Sequence, residues 1–274
     1  MTRHSGKRTI AKADVTHRPA AINRDGRMAA VRIGTSGWHY DGWIGTFYPE
    51  KTPKKRLLEA YARHFSTTEI NASFYRVPSE AAVASWAANA PDGFVFAWKA
   101  SRFITHYKRL KDCEEPVRYV TGRMAPLGEK FGPVLWQLPP QQKPDHDRLG
   151  RFLDLLPKER RHAVEFRDPA WYEEATFRLL RDAGVSLCVS DHAHAPAPWE
   201  ATAAHVYLRP HGPGGRYEGH YSNDGLADMA DRIAGWTAES RDVFCYFDND
   251  QKSCAPFDAQ RLIGMVRERG VEVA

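Results

Sequence analysis

The chain has 274 residues, 42% of them hydrophobic and 12% aromatic, enough for a sizeable core in one large domain or two small ones. Its formal net charge of +5 resides in residues 1–30, where seven basic side chains face two acids; the rest is formally neutral, so the composition gives no general argument for a nucleic-acid-binding face on the folded body. No apolar run approaches the roughly 18 residues of a membrane span, and residues 1–30 lack the apolar stretch of a secretory signal.

Residues 1–30 show no apolar periodicity and read as a disordered basic extension, with residues 31–274 as one domain. Any contact with nucleic acid is expected from that extension and is not favoured for the body; no membrane contact is expected. Eight short apolar runs follow: Val31–Thr35, Thr68–Asn71, Phe94–Lys99, Val134–Gln137, Ala163–Arg167, Val185–Asp191, His205–Arg209 and Val243–Asp248. Between them, helical spacing or punctuation predicts helices over Pro53–Phe65, Ser79–Asn89, Pro116–Lys130, Asp145–Leu156, Glu173–Ala183, Asp224–Glu239 and Ala255–Arg269. Ser79 reads as an N-cap and Gly184 as a helix-terminating glycine. The Pro-rich stretch His194–Pro198 leaves little room for a helix, and a short turn is expected there. Strand–helix alternation of this kind defines an α/β fold, a (β/α)8 TIM-type barrel of parallel strands, irregular around its sixth helix.

Each run leads into a polar or ionisable residue. A strand buried on both faces ends that way only where it opens on something polar, so the carboxyl-end rim is the expected seat of chemistry. The first loop, Gly34 to Pro49, offers glycines for close approach and aromatic walls such as Trp38, and fits either a ligand site or packing over the mouth. It lacks the GK[ST] ending of a phosphate loop. Glu69 and Asn71 are two apart and share a side; Glu69 reads equally as a functional carboxylate or half of an ion pair. Ser73–Arg76, with Tyr75, adds stacking and cationic groups. Lys99 reads as an anion binder, a base or a partner of Glu69 or Glu165; Arg102 and His106 follow it. Gln137 ends its strand with both donor and acceptor. Glu165 and Arg167, two apart on one strand, hold each other in place, which suits a bound metal, a proton transfer or an anionic substrate, or simply braces the barrel top. Asp191, His192, His211 and Asp248 join Glu165 as a conceivable oxygen-and-nitrogen metal set, although no HExxH or cysteine motif supports one.

The four cysteines form no CxxC pair. Cys188 and Cys245 fall in predicted strands as core fillers, Cys254 is expected to be more exposed, and the set fits a reducing cytoplasm.

These strings resemble the DUF72 proteins, the YecE-like group of TIM-barrel proteins. The resemblance rests on Ile33–Trp38 with Phe47-Tyr48-Pro49, Glu69-Ile70-Asn71 with Phe74-Tyr75 and Pro78, Lys99 with Ile104-Thr105-His106, Gln137–Pro140, Glu165-Phe166-Arg167 with Trp171, and His211-Gly212. It implies the barrel fold and no settled activity. The chain departs from the pattern at Asp168-Pro169, at Leu208–Gly215 and at Asp248-Asn249-Asp250. On these grounds the expected function is acid/base chemistry on a small anionic or polyhydroxylated substrate. Glu165, Glu69 and Lys99 are the candidate catalytic groups. Trp38, Asn71, Tyr75, His106, Gln137, Arg167, Arg209, His211 and Asn249 are the candidate binding groups. A metal-dependent hydrolase or phosphodiesterase, and a non-catalytic nucleic-acid or sugar-binding module, are the alternatives. The motifs specify no cofactor, metal or oligomeric state.

Overall fold

The computed structural model describes residues 28–274; the extension expected over residues 1–30 lies outside the described residues, save for its last three. Eight strands run parallel: β1 Val31–Thr35, β2 Thr67–Ile70, β3 Val95–Lys99, β4 Phe131–Gln137, β5 His162–Glu165, β6 Ser186–Ser190, β7 His205–Arg209 and β8 Asp242–Phe247. They pair in the order β1-β8-β7-β6-β5-β4-β3-β2. Seven α-helices accompany them: α1 Leu57–Ala62, α2 Glu80–Asn89, α3 Glu114–Arg123, α4 His146–Asp154, α5 Glu174–Ala183, α6 Asn223–Ala238 and α7 Cys254–Glu268. This is a nearly closed (β/α)8-type barrel.

Local chemistry sets these elements. Ser79, Asp145 and Ser222 cap α2, α4 and α6 by accepting backbone N–H groups with their side chains. Gly184 ends α5 in the left-handed conformation, as expected of it. The Pro-rich connection of residues 191–204 carries no helix among the described residues, so β6 leads to β7 without one. The predicted helix Pro116–Lys130 is two pieces: α3 and a short 3₁₀ segment, Ala125–Lys130.

The seam between β1 and β2 is closed by little backbone pairing. The Gly37 amide donates to the Glu69 carbonyl at 2.8 Å. The Tyr61 hydroxyl of α1 bridges the strands, accepting from the Thr35 amide at 2.9 Å and donating to the Thr67 carbonyl at 3.0 Å, and Thr68 Oγ1 donates to the Thr35 carbonyl at 3.0 Å. Gly34 makes room for this wedge, since a Cβ there would lie 2.2 Å from the Thr67 carbonyl oxygen and 2.8 Å from the Tyr61 hydroxyl.

The main core lies between strands and helices. Inside the ring a second apolar layer holds Ala97, Leu135, Ala163, Cys188, Tyr207, Phe244 and Tyr246. Small Ala97 and Ala163 leave space for the two tyrosine rings, which meet at 5.3 Å. Strand side chains alternate, so the next inward residue is two positions on. From Ala97, Leu135, Ala163, Cys188, Tyr207 and Tyr246 that step leads to Lys99, Gln137, Glu165, Ser190, Arg209 and Asp248, and each of these is buried. The polar layer of the mouth is thus the register continuation of an apolar one.

All four cysteines are buried and unpaired. This corrects the expectation for Cys254. The βα8 turn passes through Lys252 and Ser253 in left-handed backbone and tucks the thiol against the Gly219 backbone. No helix among the described residues is long and apolar enough to cross a membrane.

Candidate functional site

Arg209, the last residue of β7, is the centre of the mouth and is wholly buried. Its Nε donates to Glu69 Oε2 at 3.0 Å and its Nη2 to Glu69 Oε1 at 2.9 Å. Nη1 donates to Glu165 Oε2 at 2.9 Å, and Nη2 to Asp248 Oδ2 at 2.8 Å. Carboxylates from β2, β5 and the end of β8 therefore converge on one guanidinium, a bidentate pair among them. Expected to hold substrate, Arg209 instead holds the barrel's own carboxylates, and every one of its nitrogens is engaged.

Glu69 and Glu165 are equally enclosed, each at 0% exposure. Ser36 donates to Glu69 Oε1 at 2.5 Å and Tyr207 to Oε2 at 2.6 Å. Arg167 Nη2 lies 2.6 Å from Glu165 Oε1, the same-strand ion pair read from the sequence. Burial works to raise the Glu165 pKa, but Arg167, Arg209, His211 and Lys99 together outweigh it and hold this carboxyl well below the usual range. His211 Nε2 faces Arg167 Nη2 at 3.1 Å and Arg209 Nη1 at 3.2 Å. His211 Nδ1 faces the Ser190 hydroxyl at 3.2 Å and Asp191 Oδ1 at 3.5 Å.

Lys99 differs. Its ammonium has no hydrogen-bond or ion-pair partner among the described residues, neither Glu69 nor Glu165, and lies 4.5 Å over the Phe74 ring. It is 7% exposed. Burial, reinforced by Arg209 and opposed by the carboxylates, pulls its pKa down to about 8. His106 packs edge-on against Phe74 with centroids 5.0 Å apart. Burial first, then Lys99, Arg167, Arg102 and Arg109, drives its pKa down to about 4. Arg102 lies between the rings of Tyr75 and Tyr107, at 5.3 and 5.5 Å. His106 lies on a turn of π-helix, Phe103–Tyr107, which Arg102 precedes and which Arg109, Leu110 and Asp112 follow in left-handed backbone. Such irregularities concentrate at functional sites. Arg167 Nη1 donates to Tyr217 at 2.9 Å, while its buried Nε has no partner.

Other predicted residues have partners of their own. β2 ends at Ile70, and Asn71 has already turned helical, so it leaves the Glu69 side and lines a neighbouring cleft with Trp38 and Tyr75. Gln137 lies in register with Glu165, its amide 3.4 Å from the Leu138 carbonyl. Asn249 donates to the Gly219 carbonyl and to Asp258 Oδ2 at 2.8 and 2.9 Å, so it braces the βα7 loop. Ser36, Tyr207 and Tyr217 were not singled out by sequence. Tyr207 was accessible from the two-residue period before Arg209; nothing marks Tyr217.

The metal set suggested by residue type does not fit a metal. Glu165 and Asp248 face Arg209. Asp191 Oδ1 accepts from the His211 amide at 2.6 Å and its Oδ2 from the Tyr221 hydroxyl. Among the described residues no group of three or more His, Cys, Asp or Glu is placed to hold a metal ion.

A parallel eight-stranded barrel whose carboxyl-end mouth is a guanidinium caged by carboxylates defines the class of protein. The chain belongs to the DUF72 family, "protein of unknown function DUF72", whose family model matches residues 32–273. It is 32% identical to the UPF0759 protein YecE of Escherichia coli over 179 residues, covering 61% of this chain and 62% of that protein's length. It is 25% identical to the UPF0759 protein YunF of Bacillus subtilis over 269 residues, covering 86% of this chain and 94% of that protein. Among solved structures, a DUF72 family protein from Thermotoga maritima superposes with a TM-score of 0.79 at 26% identity, covering 87% of this chain and 99% of that one. The structure of SacUVDE, 10% identical with a TM-score of 0.56, covers 88% of this chain and 99% of that one, and shares the fold alone.

Proposed function

We propose that the mouth binds a small substrate through an anionic group and that Lys99 exchanges a proton with it. The observation that carries this is the unpartnered Lys99 ammonium, nearly enclosed beside a fully paired charge cluster. A buried cation without a partner is costly, and an incoming anion is the natural complement. Arg167, with its free Nε, and Arg102 and His106 surround the same space. A pKa near 8 also lets Lys99 give or take a proton near neutrality. Glu165 and Glu69 then serve as the frame that aims Arg167 and fixes Arg209, and Gln137 and His211 complete that frame. The unpaired cysteines fit a reducing, cytoplasmic setting.

Calorimetric titration with inorganic phosphate and small carboxylates tests the reading. Wild-type protein binds at least one of them, and Lys99→Met weakens that binding by about tenfold or more. Labelling of Lys99 by an amine reagent inflects near pH 8 and is slowed by the bound anion. Absence of anion binding to the wild-type mouth refutes the proposal.

A second reading, a single-stranded nucleic acid, is supported by exposed Tyr75 and Tyr107 flanking Arg102. Oligonucleotide binding that is lost in Tyr107→Ala and Arg102→Ala would favour it over a small molecule.

A further inference from the structure

Beside the mouth lies a cleft of about 580 Å³, within the range of small-molecule sites. Trp38, Tyr40, Tyr75 and Trp86 are aromatic members of its wall, and Asn71 lines it with them. The Trp38 ring meets Trp86 edge-on at 5.6 Å and Phe96 at 6.1 Å, and the Trp38 carbonyl accepts from the Tyr48 hydroxyl at 2.6 Å. This wall is therefore set in place by the fold.

The polar inventory is selective. The Asn89 amide is taken by the Ser85 carbonyl at 2.7 Å. Lys54 at the rim is paired with Asp41 at 2.8 Å. The Asn71 amide faces the Tyr40 hydroxyl, but Asn71 Oδ1 is enclosed and accepts from nothing. A buried acceptor left without a donor costs about 1–3 kcal/mol. Among these aromatic rings, the group that would satisfy it is a flat ring with an N–H on its edge.

The cleft and the mouth are neighbours along the chain and through packed rings. Asn71 follows Glu69 by two residues, Phe74 carries Lys99 over its ring, and Phe74 meets Tyr75 edge-on at 5.1 Å. A ligand with its anionic group at Lys99 and Arg102 would pass over Phe74 and Tyr75 into the cleft. We infer that the cleft is a second subsite, which takes an amino-bearing heterocycle, so that the substrate class of the mouth is a phosphorylated nucleoside of low molecular weight. This rests on the anion-binding reading of the mouth.

Calorimetry on the full chain with four probes separates the two. Adenosine 5′-monophosphate is expected to bind about tenfold or more tightly than ribose 5-phosphate, from stacking and the edge hydrogen bond, and to quench tryptophan fluorescence. Asn71→Ala removes that preference but keeps phosphate binding, and Asn71→Asp, which keeps the acceptor, restores it. If phosphate binds and the two phosphorylated probes bind equally, or if Asn71→Ala leaves their difference intact, the subsite is refuted and the mouth stands. If adenosine binds through Asn71 while phosphate does not bind at all, the subsite stands and the mouth reading fails. Should Asn71→Ala fail to fold, Trp86→Leu gives the same comparison.

Discussion

Arg209 grips Glu69 across the barrel interior with two hydrogen bonds, Nε to Oε2 at 3.0 Å and Nη2 to Oε1 at 2.9 Å. Both side chains are fully enclosed, so neither can recover water if the other is lost. Removing one member of a buried pair strands the remaining charge, at about 3–5 kcal/mol. Arg209→Met removes the cation that pairs Glu69 and Asp248, while Glu165 keeps Arg167, and urea unfolding is expected to register a loss in that range. A variant as stable as the wild type would show that the carboxylates take up protons in place of the guanidinium.

Lys99→Met should do the opposite. The lysine pKa falls from 10.5 to about 8 on folding, chiefly through burial. The unfolded chain therefore binds this proton more tightly, and the penalty on the native state is complete below pH 8. That shift corresponds to about 3 kcal/mol. The variant is expected to be more stable by that order at about pH 7, with the advantage shrinking as pH climbs from about 8 toward 10.5. Denaturant melts at several pH values check the sign as well as the size.

Asp250 follows the same logic with the charge reversed. Burial, aided by Asp248, raises its pKa from 3.8 to about 6. The native state holds this proton more tightly, so the cost is complete above pH 6 and is lifted as pH falls toward 3.8. Asp250→Asn should stabilise at neutral pH by no more than about 1 kcal/mol, since the group is partly hydrated. That gain should vanish in melts near pH 4.

Gly34→Ala tests the seam. The added methyl would meet the Thr67 carbonyl at 2.2 Å and the Tyr61 hydroxyl at 2.8 Å, both held by hydrogen bonds. Overpacking of this kind costs about 1–3 kcal/mol. A fall in Tm with earlier exchange of the Thr35 amide is the expected signature.

Much of this arrangement was legible before any coordinates. The apolar runs match β1 and β7 to the residue. β4 begins at Phe131, three residues ahead of the run that marks it. Gly132 and Pro133 read as breakers there, yet a Cβ at Gly132 would meet Val95 Cγ1 at 2.5 Å, so glycine is what lets β4 press against β3. The convergence of Glu69, Lys99, Glu165 and Arg209 followed from the two-residue period and the parallel order. Their pairing did not. Position on a strand says that a charge points inward, but whether its complement is a ligand or another strand depends on contacts 140 residues apart in sequence, as between Arg209 and Glu69. Asn71 and Asn249 escaped the pattern because both lie just past their strands, where alternation no longer governs direction.

The origin of the Arg209 cage has a consequence for how the molecule assembles. Its cation comes from β7 and its anions from β2, β5 and the end of β8, so any cut between β2 and β7 parts Glu69 from its cation. An amino-terminal fragment ending after β4 would carry Glu69 with no counterion from β7, and the complementary fragment would keep Arg209 short of one of its three acids. The amino-terminal piece cannot neutralise Glu69 through β7, and the ring is expected to form in one concerted transition, without a stable amino-terminal half-barrel on the way.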